Sequence, residues 1–328
     1  MPRFFTPDIR ETLGMAGPLM VDSGGYVLLA NRKVRCDVKE VERIYSKLPV
    51  DILVSLDYPP SPFDDARTRA ARRKKTLKNF AFLRDLLPGK KLMPVVHGHC
   101  LSEIEVACDG VKQVCRRPGH VGIGGIVPLI CSGGSVKGFR FKRLDGSQGG
   151  SSFLISDALT VVRRHFPKSR IHVFGTGSAV TAISVLTLGA DSVDSFSWRR
   201  AASYGAILLP GRSERFPLFR AGRERSRPVI RESELPLVAA CGCPVCDRLK
   251  TAHARLVALS RCYKNRAIHN AWTILKEVEL FQTAVENQQL DGFLRPRLSP
   301  RHRFYGPVME RLAQEEMRYP LRVSGANG

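Results

Sequence analysis

The clearest chemical signal in this chain is a group of three cysteines within six residues, Cys241-Gly-Cys243-Pro-Val-Cys246. Gly242 and Pro244 suit a tight turn, which three neighbouring thiolates need in order to reach a single ion. This spacing seldom occurs without a metal or redox role, and three unrelated thiols are the alternative. The motif therefore predicts a metal site that takes one more ligand from elsewhere in the chain.

A histidine is the natural fourth ligand. His269 lies twenty-three residues after Cys246 in a helix-like segment, whereas His253 lies only seven residues after it. A helix would have difficulty carrying so near a residue back to the thiolates, so we prefer His269 and keep His253 as the competing ligand. A closed Cys3His shell leaves no open coordination position, which predicts structural Zn2+ rather than a catalytic metal.

The charge of the chain indicates its partner. There are 52 Lys and Arg residues against 30 Asp and Glu residues, a net charge of +22. Such an excess most often serves binding to a polyanion, and nucleic acid is the commonest one. The alternative is a general solubility charge, but the basic residues are concentrated in runs: Arg67–Lys78, Lys137–Arg143, Arg212–Arg231 and Arg295–Arg303.

Length and apolar content set the broad class. The 328 residues, 43% of them hydrophobic, suffice for one large α/β domain or one domain with an appendage. No apolar run approaches the roughly 20 residues needed to cross a bilayer, and the segment from Met1 lacks the apolar core of a signal peptide. Nine cysteines, an odd number with three in the cluster, suit a reducing compartment. We expect a cytoplasmic protein that does not enter the membrane.

The elements that must position the reactive residues alternate between strand and helix. Apolar runs followed by helix-like segments occur about six times, which predicts a parallel sheet. A polar residue or a glycine stands at or just after the end of each run: Asp22, Asp57, His97, Gly124, Gly175 and Asp194. Strand ends converge on one rim in a (β/α)8 barrel, whereas a doubly wound sheet uses only the strands beside its switch point. The pattern favours the barrel and leaves the doubly wound sheet as the alternative.

Composition also suggests how the chain is divided. We expect a catalytic barrel over residues 1–210, an irregular basic connection over 211–240, a zinc-binding subdomain over 241–290 and a C-terminal helix with a tail over 291–328. The glycine-rich stretch 131–150 is long for a plain connection and is predicted to be a functional or mobile loop. A helix of small residues is expected near 201–209.

Several motifs, taken in order, resemble one family. They are Asp22-Ser-Gly-Gly25, Asp57 before Pro59-Pro60, His97-Gly98 after a strand, Gly122-Ile-Gly-Gly125, Gly175-Thr-Gly177, Gly189-Ala-Asp-Ser-Val-Asp194 and the cysteine cluster. This ordered set is similar to the tRNA-guanine transglycosylases over about residues 18–285. The resemblance implies an irregular (β/α)8 TIM barrel with a small zinc-binding subdomain near the C-terminus. It also implies exchange of guanine in a polynucleotide for a 7-deazaguanine base.

The resemblance assigns roles to the residues at the strand ends. Asp194 corresponds to the nucleophile that holds C1′ of the sugar covalently, as in a retaining glycosidase. Asp22 corresponds to the acid that moves protons for the departing and arriving bases, and Asp57 to the acceptor for the N1–H and 2-amino edge of guanine. Taken alone, each carboxylate is as well explained as a strand-end cap. The base-binding set implied in this way is Ser23, Asp57, His97, Gly98, Gly124 and Gly125.

Two departures from the family pattern bear on the substrate. Bacterial tRNA enzymes usually have Val-Gln-Gly where this chain has Val96-His97-Gly98, and their Asp-Cys-Val-x-Pro-Thr-Arg segment is here Asp194-Ser-Phe-Ser-Trp198-Arg-Arg. Because the second segment lies beside the polynucleotide in tRNA enzymes, its loss favours the branch that places a 7-deazaguanine such as preQ0 into DNA. The alternatives are a tRNA-guanine transglycosylase of the queuosine or archaeosine type and a catalytically inactive nucleic-acid-binding subunit.

Two further expectations concern binding. Tyr26, Phe196 and Trp198 are candidates for stacking on an unstacked base, although an aromatic residue at a strand end is as often part of the core. The resemblance also implies assembly as a homodimer or with a partner subunit.

Overall fold

A computed structural model describes residues 9–14, 16–25, 36–130, 138–212, 214–218 and 228–313 of the chain. The chain forms two compact units. Among the described residues, unit 1 comprises those up to Phe174 together with Gly189–Val193, and unit 2 comprises Gly175–Leu188 and those from Asp194 onward. Asp22 and Asp57 therefore belong to unit 1, and Asp194 belongs to unit 2.

Unit 1 is built on parallel strands. Its strands are β1 (Met20–Val21), β2 (Ile52–Val54), β3 (Leu92–Met93), β4 (Val95–Val96), β5 (His120–Ile123), β6 (Phe141–Lys142), β7 (Gln148–Gly149), β8 (Arg170–Val173) and β9 (Ser192–Val193). One parallel sheet has the order β1-β2-β3, and another has the order β4-β5-β8-β9. The strands β6 and β7 form an antiparallel pair of their own.

Pro94 separates β3 from β4. Proline has no amide hydrogen to donate, so the ladder is interrupted there, while its carbonyl still accepts a hydrogen bond from the amide of Gly122 at 2.8 Å. The single strand expected near residues 91–98 thus becomes two short strands, of which β3 pairs with β2 and β4 with β5.

The order of the parallel strands decides between the two predicted folds. In the described part of unit 1 it follows the chain from β1 to β9 without reversal, apart from the β6–β7 hairpin. A doubly wound sheet requires a reversal at its switch point, whereas a (β/α) barrel does not. The prediction of an α/β fold of the TIM-barrel type is therefore confirmed.

The β6–β7 hairpin lies in the stretch that was expected to be a functional or mobile loop. Phe141 pairs with Gly149 in antiparallel register. Asp145 fixes the turn, because its Oδ1 accepts hydrogen bonds from the amide of Ser147 at 2.9 Å and from its hydroxyl at 2.7 Å. The predicted loop therefore contains a short antiparallel hairpin within residues 138–150, while residues 131–137 lie outside the described residues.

Helices alternate with the strands along unit 1. They are α1 (Ile9–Leu13), α2 (Val38–Tyr45), α3 (Ala66–Leu86), α4 (Leu101–Val114), α5 (Val127–Ile130) and α6 (Ser151–His165). The first turn of α3 is capped by Asp65, whose carboxylate accepts from the amide of Thr68 at 2.6 Å. Strand residues such as Leu53, Val121 and Ile171 are buried, as expected for a parallel sheet that is covered on both faces.

Unit 2 is helical. Its helices are α7 (Ala179–Thr187), α8 (Ser197–Ser203), α9 (Leu235–Ala239), α10 (Ala252–Arg261), α11 (Tyr263–Glu286), α12 (Leu290–Leu294) and α13 (Tyr305–Ala313). The long helix α11 packs against α7, α8, α10 and α12. Its buried Asn270 accepts a hydrogen bond from the amide of Leu208 at 2.8 Å and donates to the carbonyls of Trp198 and Ala206.

The helix that was expected near residues 201–209 begins and ends earlier. α8 stops before Gly205, which adopts a φ of 84°, a left-handed conformation that commonly ends helices. The residues that follow are extended, because Ile207 exchanges backbone hydrogen bonds with Arg215 at 2.8 and 3.0 Å. The small residues of this stretch therefore pack as the end of a short helix followed by a bridge.

The segment between this bridge and the cysteines contains a 3-10 helix (Glu232–Glu234) and α9. Arg215 and Glu234 form a buried ion pair with 2.7 Å between Nη2 and Oε1. Residues 213 and 219–227 of the predicted basic connection lie outside the described residues. Across the part of the chain that the structure describes, no helix combines the length and apolar character needed to cross a membrane.

Candidate active site and metal centre

Three sulfur atoms and one ring nitrogen converge in unit 2. The Sγ atoms of Cys241, Cys243 and Cys246 lie 3.5, 3.7 and 3.6 Å from Nδ1 of His269, and all four atoms lie within 4.8 Å of one another. Around tetrahedral zinc, with Zn–S of about 2.3 Å and Zn–N of about 2.0–2.1 Å, each sulfur stands about 3.5–3.6 Å from the nitrogen. The cluster therefore fits a tetrahedral metal ion of this size.

Hydrogen bonds orient His269 and favour the thiolate form of Cys243. His269 is buried on α11, and its Nε2 donates to the carbonyl oxygen of Leu208 at 2.9 Å. That bond keeps the proton on Nε2 and leaves Nδ1 to face the sulfurs. Hydrogen bonds from Cys241 and Cys246 lower the pKa of the Cys243 thiol, which favours the thiolate form that binds metals.

Arg255 on α10 holds the backbone around the cysteines. Its Nη1 donates to the carbonyls of Val238 and Cys241 at 2.9 and 3.1 Å, and its Nε donates to the carbonyl of Leu249 at 3.0 Å. No sequence motif pointed to this residue, because its partners are main-chain carbonyls. His253, two residues earlier on α10, is exposed and does not belong to the cluster, so the structure groups His269 with the thiols.

In unit 1, the buried carboxylate of Asp57 is held on both oxygens. Its Oδ1 accepts a hydrogen bond from Oγ of Ser23 at 3.1 Å, and Nε2 of His97 lies 2.9 Å from its Oδ2. Gly25 lies directly against this group, since a Cβ there would stand 1.9 Å from Oδ1. The orientation of the carboxylate is therefore fixed, and one side of it admits only a glycine.

Asp22 lies near the same group. It directly follows β1 and is exposed. Burial raises the pKa of the Tyr45 hydroxyl, and the negative charges of Asp22 and Asp57 add to this effect. Tyr45 also donates a hydrogen bond to the carbonyl of Val54 in β2 at 2.7 Å. Two of the predicted functional acids therefore share a neighbourhood at the carboxyl ends of β1 and β2.

The glycines after β5 pack on His97. A Cβ at Gly124 would lie 2.7 Å from Cε1 of the imidazole, and one at Gly125, which has a φ of 75°, would lie 3.2 Å from Nδ1. Gly98 has a different surrounding, because a Cβ there would lie 2.9 Å from the backbone nitrogen of Ile104 in α4. Ser23, Asp57, His97 and the two glycines after β5 are thus brought together, whereas Gly98 lies against a helix.

Asp194 is described within unit 2. It is exposed, and its Oδ1 accepts a hydrogen bond from the amide of Gly175 at 2.7 Å. Its carbonyl accepts hydrogen bonds from both the amide and the hydroxyl of Thr176 at 3.0 Å. Gly175 adopts a φ of 72°, a conformation that a residue with a Cβ rarely takes. The Gly175-Thr-Gly177 motif therefore serves to orient Asp194.

The basic run on α3 is partly neutralised by acids. Arg69 and Arg73 lie 2.9 and 3.0 Å from Oε1 of Glu103, and Arg72 lies 3.1 Å from Oδ2 of Asp64. The other basic residues of this run are exposed: Arg67, Lys74, Lys75 and Lys78. The run thus has two functions, of which one is to hold α3 to its neighbours and the other is to present positive charge to solvent.

The strand order, the carboxylates at the strand ends and the Cys3His cluster define an α/β protein of the TIM-barrel type with a cluster that could hold a metal ion. The profile of the family described as "TGT: Queuine tRNA-ribosyltransferase" matches residues 6–303. The chain belongs to this family.

Curated relatives agree with this assignment. A tRNA-guanine(15) transglycosylase of Pyrococcus abyssi is 24% identical over 287 residues, which cover 86% of this chain and 42% of the relative. The protein of the same name from Archaeoglobus fulgidus is 23% identical over 282 residues, 86% and 52% of the two chains. The tRNA-guanine(15) transglycosylase of Aeropyrum pernix is 26% identical over 318 residues, which cover 93% of this chain and 53% of the relative. The chain spans about half the length of the curated relatives it matches.

Proposed function

We propose that the protein is a guanine transglycosylase, a pentosyltransferase that exchanges guanine in a polynucleotide for a 7-deazaguanine base of the preQ0 type. Its family membership and its relatives support this reaction. The observation that carries the proposal is the buried Asp57 carboxylate, with one oxygen held by Ser23 and the other by His97. An acid kept in one orientation is suited to recognise a fixed pair of donors.

Guanine presents such a pair. Its N1–H and 2-amino groups point in the same direction and match the two oxygens of a carboxylate. A 7-deazaguanine differs in the five-membered ring and keeps this edge, so Asp57 accepts both the departing and the arriving base. Gly25, Gly124 and Gly125 have no Cβ, which lets the backbone pack closely against Asp57 and His97 and keeps both side chains in place.

The exchange proceeds through the sugar. The Asp194 carboxylate attacks C1′, the bond from C1′ to N9 of guanine breaks, and the sugar is held as an ester. Asp22 gives a proton to the departing guanine and later removes one from N9 of the incoming base. Attack of that base on C1′ breaks the ester and restores the Asp194 carboxylate. Two inversions leave the configuration at C1′ unchanged.

We assign structural Zn2+ to Cys241, Cys243, Cys246 and His269. Three thiolates and one imidazole suit zinc better than a hard ion such as Mg2+. Bound zinc would tie the cysteine segment to α11, with all four positions filled by the protein. The exchange itself uses the carboxylates.

The relatives support tRNA as the polynucleotide, because they are named as tRNA-guanine(15) transglycosylases. DNA, which the sequence pattern favoured, is the second candidate. The observation in its favour is the segment Asp194-Ser-Phe-Ser-Trp198-Arg-Arg, which departs from the segment beside the polynucleotide in tRNA enzymes. The net charge of +22 suits either substrate.

The test is guanine exchange by the purified full chain at low salt. Radiolabelled guanine and preQ0 are offered in parallel with total tRNA, double-stranded DNA and single-stranded DNA, and Asp194→Asn serves as the inactive control. Label in tRNA alone supports the first candidate, and label in DNA alone supports the second. Label in neither, with folded and metal-loaded protein, contradicts the enzymatic proposal and favours the inactive nucleic-acid-binding subunit.

Assembly and location are part of this proposal. Three exposed apolar residues lie along one stripe of α11, namely Ile268, Trp272 and Leu275. They support a protein contact on this helix, either in a homodimer or with a partner subunit. A cytoplasmic location agrees with a nucleic-acid substrate and with thiols of the described cysteines that form no disulfide. Sedimentation of the full chain would test the assembly.

A further inference from the structure

Phe196 is an exposed aromatic residue two positions after Asp194. Its surface is 60% exposed, and its ring centroid lies 6.4 Å from that of Trp198, with 59° between the planes. Burial of a phenylalanine would stabilise the fold, so packing does not explain this position. Trp198, the neighbouring candidate for stacking, is half-buried, and Tyr26 lies outside the described residues.

Two serines fix the backbone on either side of Phe196. The hydroxyls of Ser195 and Ser197 both donate to the carbonyl of Gly177, the latter at 2.6 Å. The amide of Ser197 also donates to Oγ of Ser195 at 3.1 Å. A turn held in this way presents the ring to solvent in one orientation, which reduces the entropy that a ligand must remove on binding.

A planar cation stands beside the ring. The guanidinium carbon of Arg199 lies 5.5 Å from the ring centroid of Phe196, and Nε of Arg199 donates to the hydroxyl of Tyr263 at 3.2 Å. Tyr263 is itself 40% exposed. We refer to Phe196, Arg199 and Tyr263 together as the stacking platform.

The surroundings of the stacking platform are basic. The segments 195–203 and 261–268, which carry its three residues, contain no acidic residue. Arg261 and Lys264 flank Tyr263 in the sequence and are exposed. An exposed ring, a planar cation and free positive charge match a phosphodiester chain with an unpaired base. They suit an acidic or apolar peptide less well, because a peptide offers no repeated π face for the ring.

We propose that the stacking platform binds an unpaired nucleobase of the polynucleotide, adjacent in sequence to the nucleotide that Asp194 attacks. The choice of ligand rests on the proposed guanine exchange. Phe196 stacks on the base, and Arg199, held by Tyr263, contacts the same base or the phosphate beside it. Because every base has a π face, the stacking platform selects for an unpaired neighbour rather than for a sequence. An RNA loop and an opened DNA strand both provide such a base.

The experiment uses 2-aminopurine as the base analogue. It is placed on either side of the target guanine in an RNA hairpin loop and in a single-stranded DNA of the same sequence. Binding of the full chain should quench its fluorescence. Phe196→Ala should abolish the quenching and weaken binding by about 5- to 150-fold, and Phe196→Trp should retain both. Phe63→Ala, which removes an exposed aromatic residue of unit 1, is the matched control and should change neither. The oligonucleotide whose quenching depends on Phe196, RNA or DNA, identifies the source of the base.

Unchanged quenching and affinity in a folded Phe196→Ala protein would overturn the proposal. A change in sedimentation without a change in nucleic-acid binding would also overturn it and would indicate a protein partner instead. Guanine exchange is measured separately. If Phe196→Ala exchanges guanine with an unchanged KM for the polynucleotide, the stacking platform is refuted and the proposed reaction is not. If quenching depends on Phe196 but the wild-type protein exchanges no guanine, the proposed reaction is refuted and the stacking platform is not.

Discussion

Nε2 of His97 lies 2.9 Å from Oδ2 of Asp57, and His97 exposes only 1% of its surface. The resemblance in sequence predicted that His97 would contact the base directly. The imidazole lies between Asp57 and the glycines after β5, while Ser23 holds the other carboxylate oxygen. We interpret His97 as a positioning residue that fixes the direction in which Asp57 accepts hydrogen bonds.

Replacing His97 by leucine should weaken recognition of guanine. The buried Asp57 carboxylate would lose the imidazole nitrogen that lies 2.9 Å from its Oδ2, and about 1.5–3 kcal/mol is typical for losing the polar partner of a charged group. We expect kcat/KM for exchange to fall about 10- to 150-fold, mainly through a higher KM for the base. His97→Gln keeps a donor at this position and should recover most of the loss. Equal losses in the two variants would contradict a positioning role.

Substitutions of Asp194 and Gly175 should lower kcat, whereas substitution of His97 should mainly raise KM for the base. Asp194→Asn removes the nucleophile and should lower kcat by at least about 10⁴-fold. Gly175→Ala should lower kcat about 10-fold with KM for the base unchanged, because a Cβ at a φ of 72° shifts the amide that orients Asp194. Gly205→Ala is the matched control, since Gly205 has a φ of 84° and lies at the end of α8. A similar loss of kcat in the control would attribute the effect to backbone strain alone.

The parts of the fold that follow from local pattern could be predicted. Asp22, Asp57 and Asp194 could be located at the ends of apolar runs. Where a buried strand ends at a polar rim, the sequence changes from apolar to polar within a few residues. The grouping of the three cysteines could be predicted because residue type and spacing are local, and only the fourth member of the cluster depended on the fold. His269 and His253 were both possible fourth ligands from the sequence, and the packing of α11 decides between them by placing His269 beside the thiols.

The parts that depend on contacts between distant segments could not be predicted. The pairing of His97 with Asp57 requires two strand ends to meet, and the carbonyl contacts of Arg255 require the path of the backbone. The start of α8 was misplaced because small residues favour a helix only weakly over the alternatives. Gly205 then ends this helix through a backbone conformation that the residue type permits but does not dictate.

Metal analysis should give one zinc per chain. A chelator should remove it and lower the Tm by at least about 5 °C, because metal binding contributes directly to folding free energy. His269→Ala should lose at least about 10-fold in zinc affinity, whereas His253→Ala should bind zinc normally because His253 is exposed outside the cluster. Mass spectrometry measures the zinc content of both variants, and calorimetry measures their zinc affinity and Tm. Normal zinc content in His269→Ala would contradict the assigned ligand set.

Acid should destabilise the protein through His99, which is buried next to the start of α4. Burial lowers the pKa of His99 to about 4, while the unfolded chain takes up this proton near pH 6.5. The stabilisation is therefore complete above about pH 6.5 and is lost as the pH falls toward 4, by about 3 kcal/mol in total. Urea denaturation at a series of pH values should show this loss in the wild type.

His99→Phe fills a similar volume without a titrating group, and its free energy of unfolding should change less between pH 7 and about pH 4.5. The measurement stays above about pH 4.5 because carboxylates such as Asp51, whose pKa the amide of Leu19 lowers, take up protons at lower pH. His253→Phe is the matched control, since His253 is exposed. The same pH dependence in His99→Phe as in the wild type would show that other groups cause the acid sensitivity.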